Sequence, residues 1–288
     1  MTEEEIAAEK RTPLLDAGER REVKERSHPR AKVVHETIRR EGEYELQRPV
    51  AALFWSGLAA GLSMGFSMVA EGLLLAALPD APWRPLLTNF GYSIGFLIVI
   101  LARQQLFTEN TLTPVLPLLT RRDAATLGKV ARLWAVVLGA NLLGALLFAV
   151  AARYTPAFSA EARIAFNELG AEAMHGGFGA ILVRAIVAGW LIALMVWLLP
   201  AAETAQLPVI ILITYLIGLA GLAHSIAGSV EAFFTVLSGA AWSEYFAFIV
   251  PALLGNIIGG VALVAALNHA QIIADAAREA SERTPEFV

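Results

Sequence analysis

The stretch Gln105-Leu106-Phe107-Thr108-Glu109-Asn110 (QLFTEN) interrupts two long apolar runs, and four of its six side chains are polar. A buried polar group costs free energy unless it is paired. Irregular backbone at membrane depth survives only where protein or a water-lined cavity satisfies its amides and carbonyls. If the flanking runs cross a membrane, this stretch must therefore face inward, toward other parts of the same molecule.

The rest of the chain supports that premise. Hydrophobic residues make up 57% of the 288 positions, and charges are sparse between Arg48 and Glu286. The uncharged runs are long enough to cross a hydrocarbon layer about 30 Å thick, which takes roughly 20 apolar residues. Six hydrophobic segments lie near 50–78, 86–119, 130–152, 178–199, 206–238 and 246–270. The second and fifth are too long for one span, and each is broken near its middle, at LFTEN and at GLAHSIAG (221–228). The other four read as ordinary spans.

About half of the charges fall in residues 1–47, with 10 Lys/Arg and 12 Asp/Glu. The expected organisation is a charged cytoplasmic arm at 1–47, a six-span channel domain at 48–272 and a cytoplasmic tail at 273–288. The opening MTEEEIAAEKR is acidic and lacks an apolar core, so no cleavable signal peptide is expected there. The helical stretch near 28–47 is a candidate for the membrane surface, although its alternating charges weaken attraction to anionic lipid. Basic residues near spans tend to stay in the cytoplasm. The arm and Arg121, Arg122, Lys129 and Arg132 of the second connection then put both termini on the cytoplasmic side of a bacterial-type inner (plasma) membrane.

A faint internal repeat fits six spans. ANLLG (140–144) matches GNIIG (255–259), and YSIG (92–95) matches YLIG (215–218). Three spans repeated after three spans must be inverted in the membrane. Inverted repeats with one discontinuous helix per half are the sequence sign of a transport fold whose permeation site lies where the broken ends meet. A short helix is expected to restart near Thr111 and near Ile226, with Thr108, Asn110 and Ser225 as candidate caps for its free N–H groups. Asn141 and Asn256 are expected either to make interhelical hydrogen bonds or to line a vestibule. SGLAAG (56–61), GANLLGA (139–145) and GNIIGG (255–260) permit close helix approach.

These two interruptions resemble motifs of the formate/nitrite transporter family. QLFTEN is similar to that family's ELFT-containing loop in the second span, and AHSIAG (223–228) to its EHSIAN segment in the fifth. The resemblance covers roughly residues 30 to 270. It implies an all-α, aquaporin-like homopentamer in the lipid bilayer, with one pore per protomer for a small monovalent anion or its conjugate weak acid, of the formate, nitrite or hydrosulfide kind. It further implies that His224 is the central pore histidine, Thr108 its hydroxyl partner, and Leu106 with Phe107 part of an apolar constriction. An imidazole in an apolar channel is pushed toward its neutral form yet is well placed to exchange a proton.

The working parts depart from the family pattern. Gln105 stands where the family has an acid, Glu109 where it has a small residue, Ala223 in place of Glu, Gly228 in place of Asn, and Gly189-Trp190 where the fourth span usually carries Asn. Glu71, Arg103, Arg184 and Glu231 lie inside apolar segments, where unpaired charges cost about 2.5–3.5 kcal/mol each. Pairing among them is expected. Glu109 and Glu231 are expected in or before the first turn of the second half-helices, where a carboxylate is favoured. There they either stabilise the turns or make the path selective for cations or neutral solutes. Arg103, Glu109, Arg184 and Glu231 are thus candidates for electrostatic tuning.

The alternatives that stay open are the same architecture carrying a cation or a small neutral solute, and a non-conducting membrane scaffold. Trp55, Trp83, Trp134 and Trp242 read as interface anchors. No metal is expected, because the chain has no cysteine and His28, His35, His175 and His269 lack ligand spacing. No cofactor, enzymatic motif or nucleic-acid footprint is expected.

Overall fold

The computed structural model describes residues 15–16, 18–19, 22, 29–202 and 204–282. The expectations about the opening stretch and about His28 and Glu286 lie outside them. The described chain is helical. In order it forms α1 (Ala31–Gln47), α2 (Val50–Ala77), α3 (Arg84–Leu101), a 3-10 turn (Glu109–Thr111), α4 (Val115–Arg121), α5 (Ala124–Tyr154) and α6 (Ala160–Ala173). There follow α7 (Phe178–Leu198), α8 (Gln206–Leu219), α9 (Ser225–Leu237) and α10 (Trp242–Ile258), then a π-helical stretch (Gly259–Ala266) and α11 (Leu267–Glu282).

Five of these helical runs are long and apolar enough to cross a membrane: α2, α3, α5, α7 and the run from α10 into α11. Helices α8 and α9 are apolar but short. Both expected interruptions are present, at 102–114 between α3 and α4 and at 220–224 between α8 and α9. The exterior carries large apolar side chains such as Phe66, Leu147, Val183, Leu212 and Phe246, all exposed. A hydrocarbon solvent accepts such a surface, and water does not.

Small residues set the tightest packing. A methyl group at Gly61 of α2 would run into the Asn141 carbonyl of α5, and one at Gly189 of α7 into the Asn256 carbonyl of α10. The α2–α5 and α7–α10 pairs therefore approach backbone to backbone, each at a buried asparagine. The residue expected as Asn in the fourth span is Gly189, and this contact requires it.

Three expectations are corrected. Helix α1 lies on the protein: Val34 and Ile38 are buried with Leu112, Val115 and Leu116 of the first break and α4. Glu43 of α1 pairs with Arg121 at 2.7 Å, and buried His35 and His269 share a hydrogen bond of 3.1 Å that brings α1 and α11 to one side, the arm side. The last span is irregular, because its Gly259-Gly260 pair passes against Ile186, Trp190 and Thr111 and opens a π stretch. Trp134 is part-buried and donates its indole N–H to the Asn110 carbonyl at 2.8 Å, whereas Trp55, Trp83 and Trp242 are exposed.

Helix α6 was not foreseen. It lies in the third connection, capped by Ser159, whose hydroxyl accepts from the Ala162 N–H. Ala162, Ala165, Phe166 and Gly170 form its buried face, and the Phe166 ring meets Phe234 of α9 edge-on at 5.5 Å. The spacing of those four residues was the available signal, but Glu161, Arg163, Glu168 and Glu172 masked it.

Candidate functional site

The two breaks begin alike. Helix α3 ends where Arg103 turns left-handed at φ 52° and the Gln104 N–H reaches back to the Val99 carbonyl at 2.9 Å. Helix α8 ends where Gly221 turns left-handed at φ 57° and the Leu222 N–H reaches back to the Ile217 carbonyl at 3.0 Å. Each turn uses orphan helix carbonyls in the usual C-terminal way.

One asparagine holds each break. Asn141 accepts the Phe107 N–H at 2.8 Å and donates to the carbonyls of Gly57 (2.8 Å) and Gln105 (2.9 Å). Asn256 accepts the Ser225 N–H at 2.8 Å and donates to the carbonyls of Ala185 (2.8 Å) and Ala223 (3.0 Å). Both side chains are fully buried. The interhelical role is thus observed, with a broken backbone segment as the partner in each half.

The restarts differ from each other, and the second falls where expected. Within the first break a 3-10 turn covers Glu109–Thr111 and the α-helix waits until Val115. Pro114 is the reason: it has no N–H to give the Asn110 carbonyl, and its ring would clash there in an α-helix. Trp134 supplies the missing donor. After the second break α9 starts at Ser225, and its cap is His224, whose Nδ1 accepts the Ala227 N–H at 3.1 Å. Ser225 was the expected cap, but its hydroxyl is buried without a partner among the described residues. Thr108 makes no capping bond either.

Three of the four polar side chains of QLFTEN are paired. Gln105 accepts from Asn110 at 2.9 Å, and Thr108 Oγ1 meets His224 Nε2 at 2.8 Å. Because His224 Nδ1 accepts from Ala227, a neutral imidazole carries its proton on Nε2 and donates it to Thr108. The Thr108 hydroxyl hydrogen is then free for another acceptor. A second proton on the imidazole would occupy Nδ1 and break the cap of α9. Glu109 is the exception, with a buried Oε1 that has no partner among the described residues.

Leu106, Phe107 and Thr108 are buried around the pair, and the Phe96 ring stands edge-on to the His224 ring at 4.9 Å between centroids. A cavity opens on either side. The arm-side cavity, about 540 Å³, is lined by residues including Gln105, Glu109, Asn110, Arg103 and Glu41. The far cavity, about 380 Å³, is lined by residues including His224, Tyr92, Glu71 and Glu231. Leu106, Phe107 and Thr108 line neither cavity.

The candidates for electrostatic tuning do not pair with one another. Arg103 is exposed at the end of α3 and meets Glu41 of α1 at 3.5 Å. Arg184 donates to the His175 carbonyl. Glu231 is the seventh residue of α9, well past its first turn, and faces the far cavity. The expectation failed because the sequence places Arg103 and Arg184 within apolar text, while the fold puts Arg103 past a helix end and turns Arg184 toward the connection before α7. Among the described residues no three His, Asp or Glu side chains cluster as a metal site would require.

The formate/nitrite transporter family model matches residues 32–270. The chain belongs to the formate/nitrite transporter family. Within the described residues the match begins at α1 and ends in α11, so it takes in both breaks and both asparagines. The chain is 46% identical over 260 residues, 89% of its length and 84% of the relative's, to the inner membrane protein YfdC of Escherichia coli. It is 22% identical over 245 residues to the formate channel BtFdhC of Bacillus thuringiensis, covering 80% of this chain and 91% of that one. Among solved structures, a pentameric formate channel with formate bound overlays with a TM-score of 0.65 at 21% identity, covering 78% of this chain and 98% of that chain. A second structure, an FNT family ion channel, overlays at 0.69 with 17% identity, covering 82% and 95%. At such identities the overlays speak for the fold of this formate/nitrite transporter family member.

Proposed function

We propose that the protein is a channel of an inner membrane that passes a small monovalent anion as its conjugate weak acid, of the formate, nitrite or hydrosulfide kind. The observation that carries this reading is the buried Thr108–His224 hydrogen bond of 2.8 Å, set between two cavities and flanked by Leu106 and Phe107. A bare anion entering that apolar zone would lose its hydration, at an effective cost of several kcal/mol. The neutral acid avoids most of that cost. Thr108, oriented by His224, offers it one hydroxyl hydrogen, and no charge need develop on the imidazole.

In this reading the chain crosses the bilayer six times as two inverted three-span repeats. The matched turns at Arg103 and Gly221 and the matched asparagines Asn141 and Asn256 support it. Five copies assemble, as in the pentameric formate channel that overlays on this chain, and each copy has its own passage. Both termini are cytoplasmic, with residues 1–47 as arm, 48–272 as channel and 273–288 as tail. Leu106, Phe107, Thr108 and His224 form the passage, while Arg103, Glu109, Arg184 and Glu231 set the field around it. A second reading, a cation or neutral solute in the same passage, is favoured by one observation, the carboxylates of the two cavities.

Uptake by liposomes containing the purified protein tests the proposal. Formate, nitrite and hydrosulfide should equilibrate faster than through bare lipid, and faster as the pH falls. His224→Phe should abolish this pH-dependent uptake while leaving the oligomer intact. Uptake at the wild-type rate in that variant would remove the histidine from the mechanism.

A further inference from the structure

We infer that the far cavity is a binding site for a small protonated amine of the ammonium or methylammonium class, held between Glu71 and Glu231 against the Tyr92 and Phe248 rings. This goes beyond the weak-acid reading, because it adds a substrate class of opposite charge.

Four carboxylates line the cavity, those of Glu71, Glu168, Glu172 and Glu231, against one guanidinium, that of Arg84. Arg84 is already engaged by Asp80 at 3.6 Å and by Glu168 at 3.9 Å. The deeper pair is thus left without a cation. Glu71 and Glu231 are more than nine-tenths buried, at 7% and 6% exposure, and neither has a hydrogen-bond or ion-pair partner among the described residues. Tyr92 and Thr88, buried residues lining the same cavity, also have no hydrogen-bond partner for their hydroxyls among the described residues. The four side chains thus present oxygens to one cavity that a guest donating hydrogen bonds, or water, can satisfy.

The chemistry of the wall selects the guest. A carboxylate pair repels anions and attracts a cation, and aromatic rings within reach add to the attraction for ammonium groups. The way onward selects further. The buried side chains of Leu106 and Phe107, placed on the way onward by the proposed passage, carry no oxygen to replace the water of Na⁺ or K⁺. A protonated amine can leave its charge behind: R–NH3⁺ gives one proton to the Glu231 or Glu71 carboxylate, forming R–NH2 and a neutral carboxylic acid. The proton then returns to the water of the same cavity. The neutral amine can accept a hydrogen bond from the Thr108 hydroxyl.

Calorimetric titration of the purified full-length protein with methylammonium chloride tests the site. Saturable binding is expected, unaffected by equal Na⁺ or K⁺. It should weaken roughly 30-fold or more in Glu231→Gln and in Glu71→Gln, the scale of losing one partner of a buried charge pair. Both substitutions keep the side-chain volume. Formate uptake in the same variants should rise, since the field that repels the anion is reduced. Unchanged methylammonium affinity in both variants, equal competition by Na⁺ or K⁺, or no binding to the wild type would overturn the inference. Methylammonium binding that behaves as expected, in a protein that passes no weak acid, would support this site and remove the weak-acid reading instead.

Discussion

The two breaks share an anchor and differ in what they carry. Each is entered through a left-handed residue, and each is held by one buried asparagine with three matching bonds. Beyond that they diverge. The first spans 102–114, needs a 3-10 turn and a tryptophan donor, and lies beneath α1. The second spans 220–224, restarts at once as α9 and uses its histidine as cap. The lesson is that the likeness of the two breaks resides in backbone satisfaction, which each buried break must solve. Side-chain chemistry is free to differ once that problem is solved.

The anchors should give the largest effects. Asn141→Leu leaves the Phe107 N–H and the Gln105 carbonyl unpaired in a buried place, and Asn256→Leu does the same to the Ser225 N–H and the Ala223 carbonyl. Each should cost on the order of 3 kcal/mol or more. Thermal unfolding in detergent should show comparable losses for the two variants. A large loss for one and none for the other would mean that the halves are anchored unequally.

The tryptophan donor sharpens the contrast, because only the first break has Pro114. Trp134→Phe keeps the ring against Phe107 but strands the Asn110 carbonyl, at about 1–3 kcal/mol. Hydrogen exchange should rise around residues 108–115 and stay unchanged around 222–228. Equal changes in both segments would refute the assignment of this bond to one half.

The entry turns give a smaller effect of unequal size. Gly221→Ala forces a side chain into a left-handed turn and should lower stability by about 1 kcal/mol. Arg103→Gly relieves such a turn, so its midpoint should not fall even though the exposed contact with Glu41 is lost. A clear drop in Arg103→Gly would show that the ion pair outweighs the backbone.

The smallest effect concerns the cover over the first break. Burial, with the neighbouring His269 as the second cause, holds the His35 imidazole below its ordinary 6.5. A histidine on an undocked α1 binds protons more readily than a docked one. Docking is therefore fully stable above about 6.5 and weakens as the pH falls through that value toward the lowered one. Proteolysis at residues 31–47 should quicken on mild acidification, and His35→Phe should remove the dependence. Acid-independent cleavage in the wild type would dismiss the histidine pair as a latch.

The helices were legible because apolar length is written locally: the boundaries near 50–78 and 178–199 closely match α2 and α7. The breaks were legible too, since LFTEN and AHSIAG insert polar groups where only inward-facing backbone survives. The partners were not. Nothing local says that Asn141 meets Phe107, that Trp134 serves Asn110, or that Glu231 faces Glu71 across a cavity while Arg184 turns away. Helix α6 was obscured because its apolar face is mostly alanine and glycine, which carry little hydrophobic signal.

The sequence by itself determined an all-helical membrane chain with two interrupted helices and a histidine in one of them, because hydrophobic length and helix-breaking chemistry act over a few residues. Only the tertiary structure decided which polar groups satisfy one another, which carboxylates stay unpartnered, and the bond by which Thr108 and His224, paired beforehand only through family resemblance, meet across 116 positions of chain. Those outcomes depend on how helices distant in sequence approach, and hydrogen bonds and charges act only over the few ångströms that packing sets.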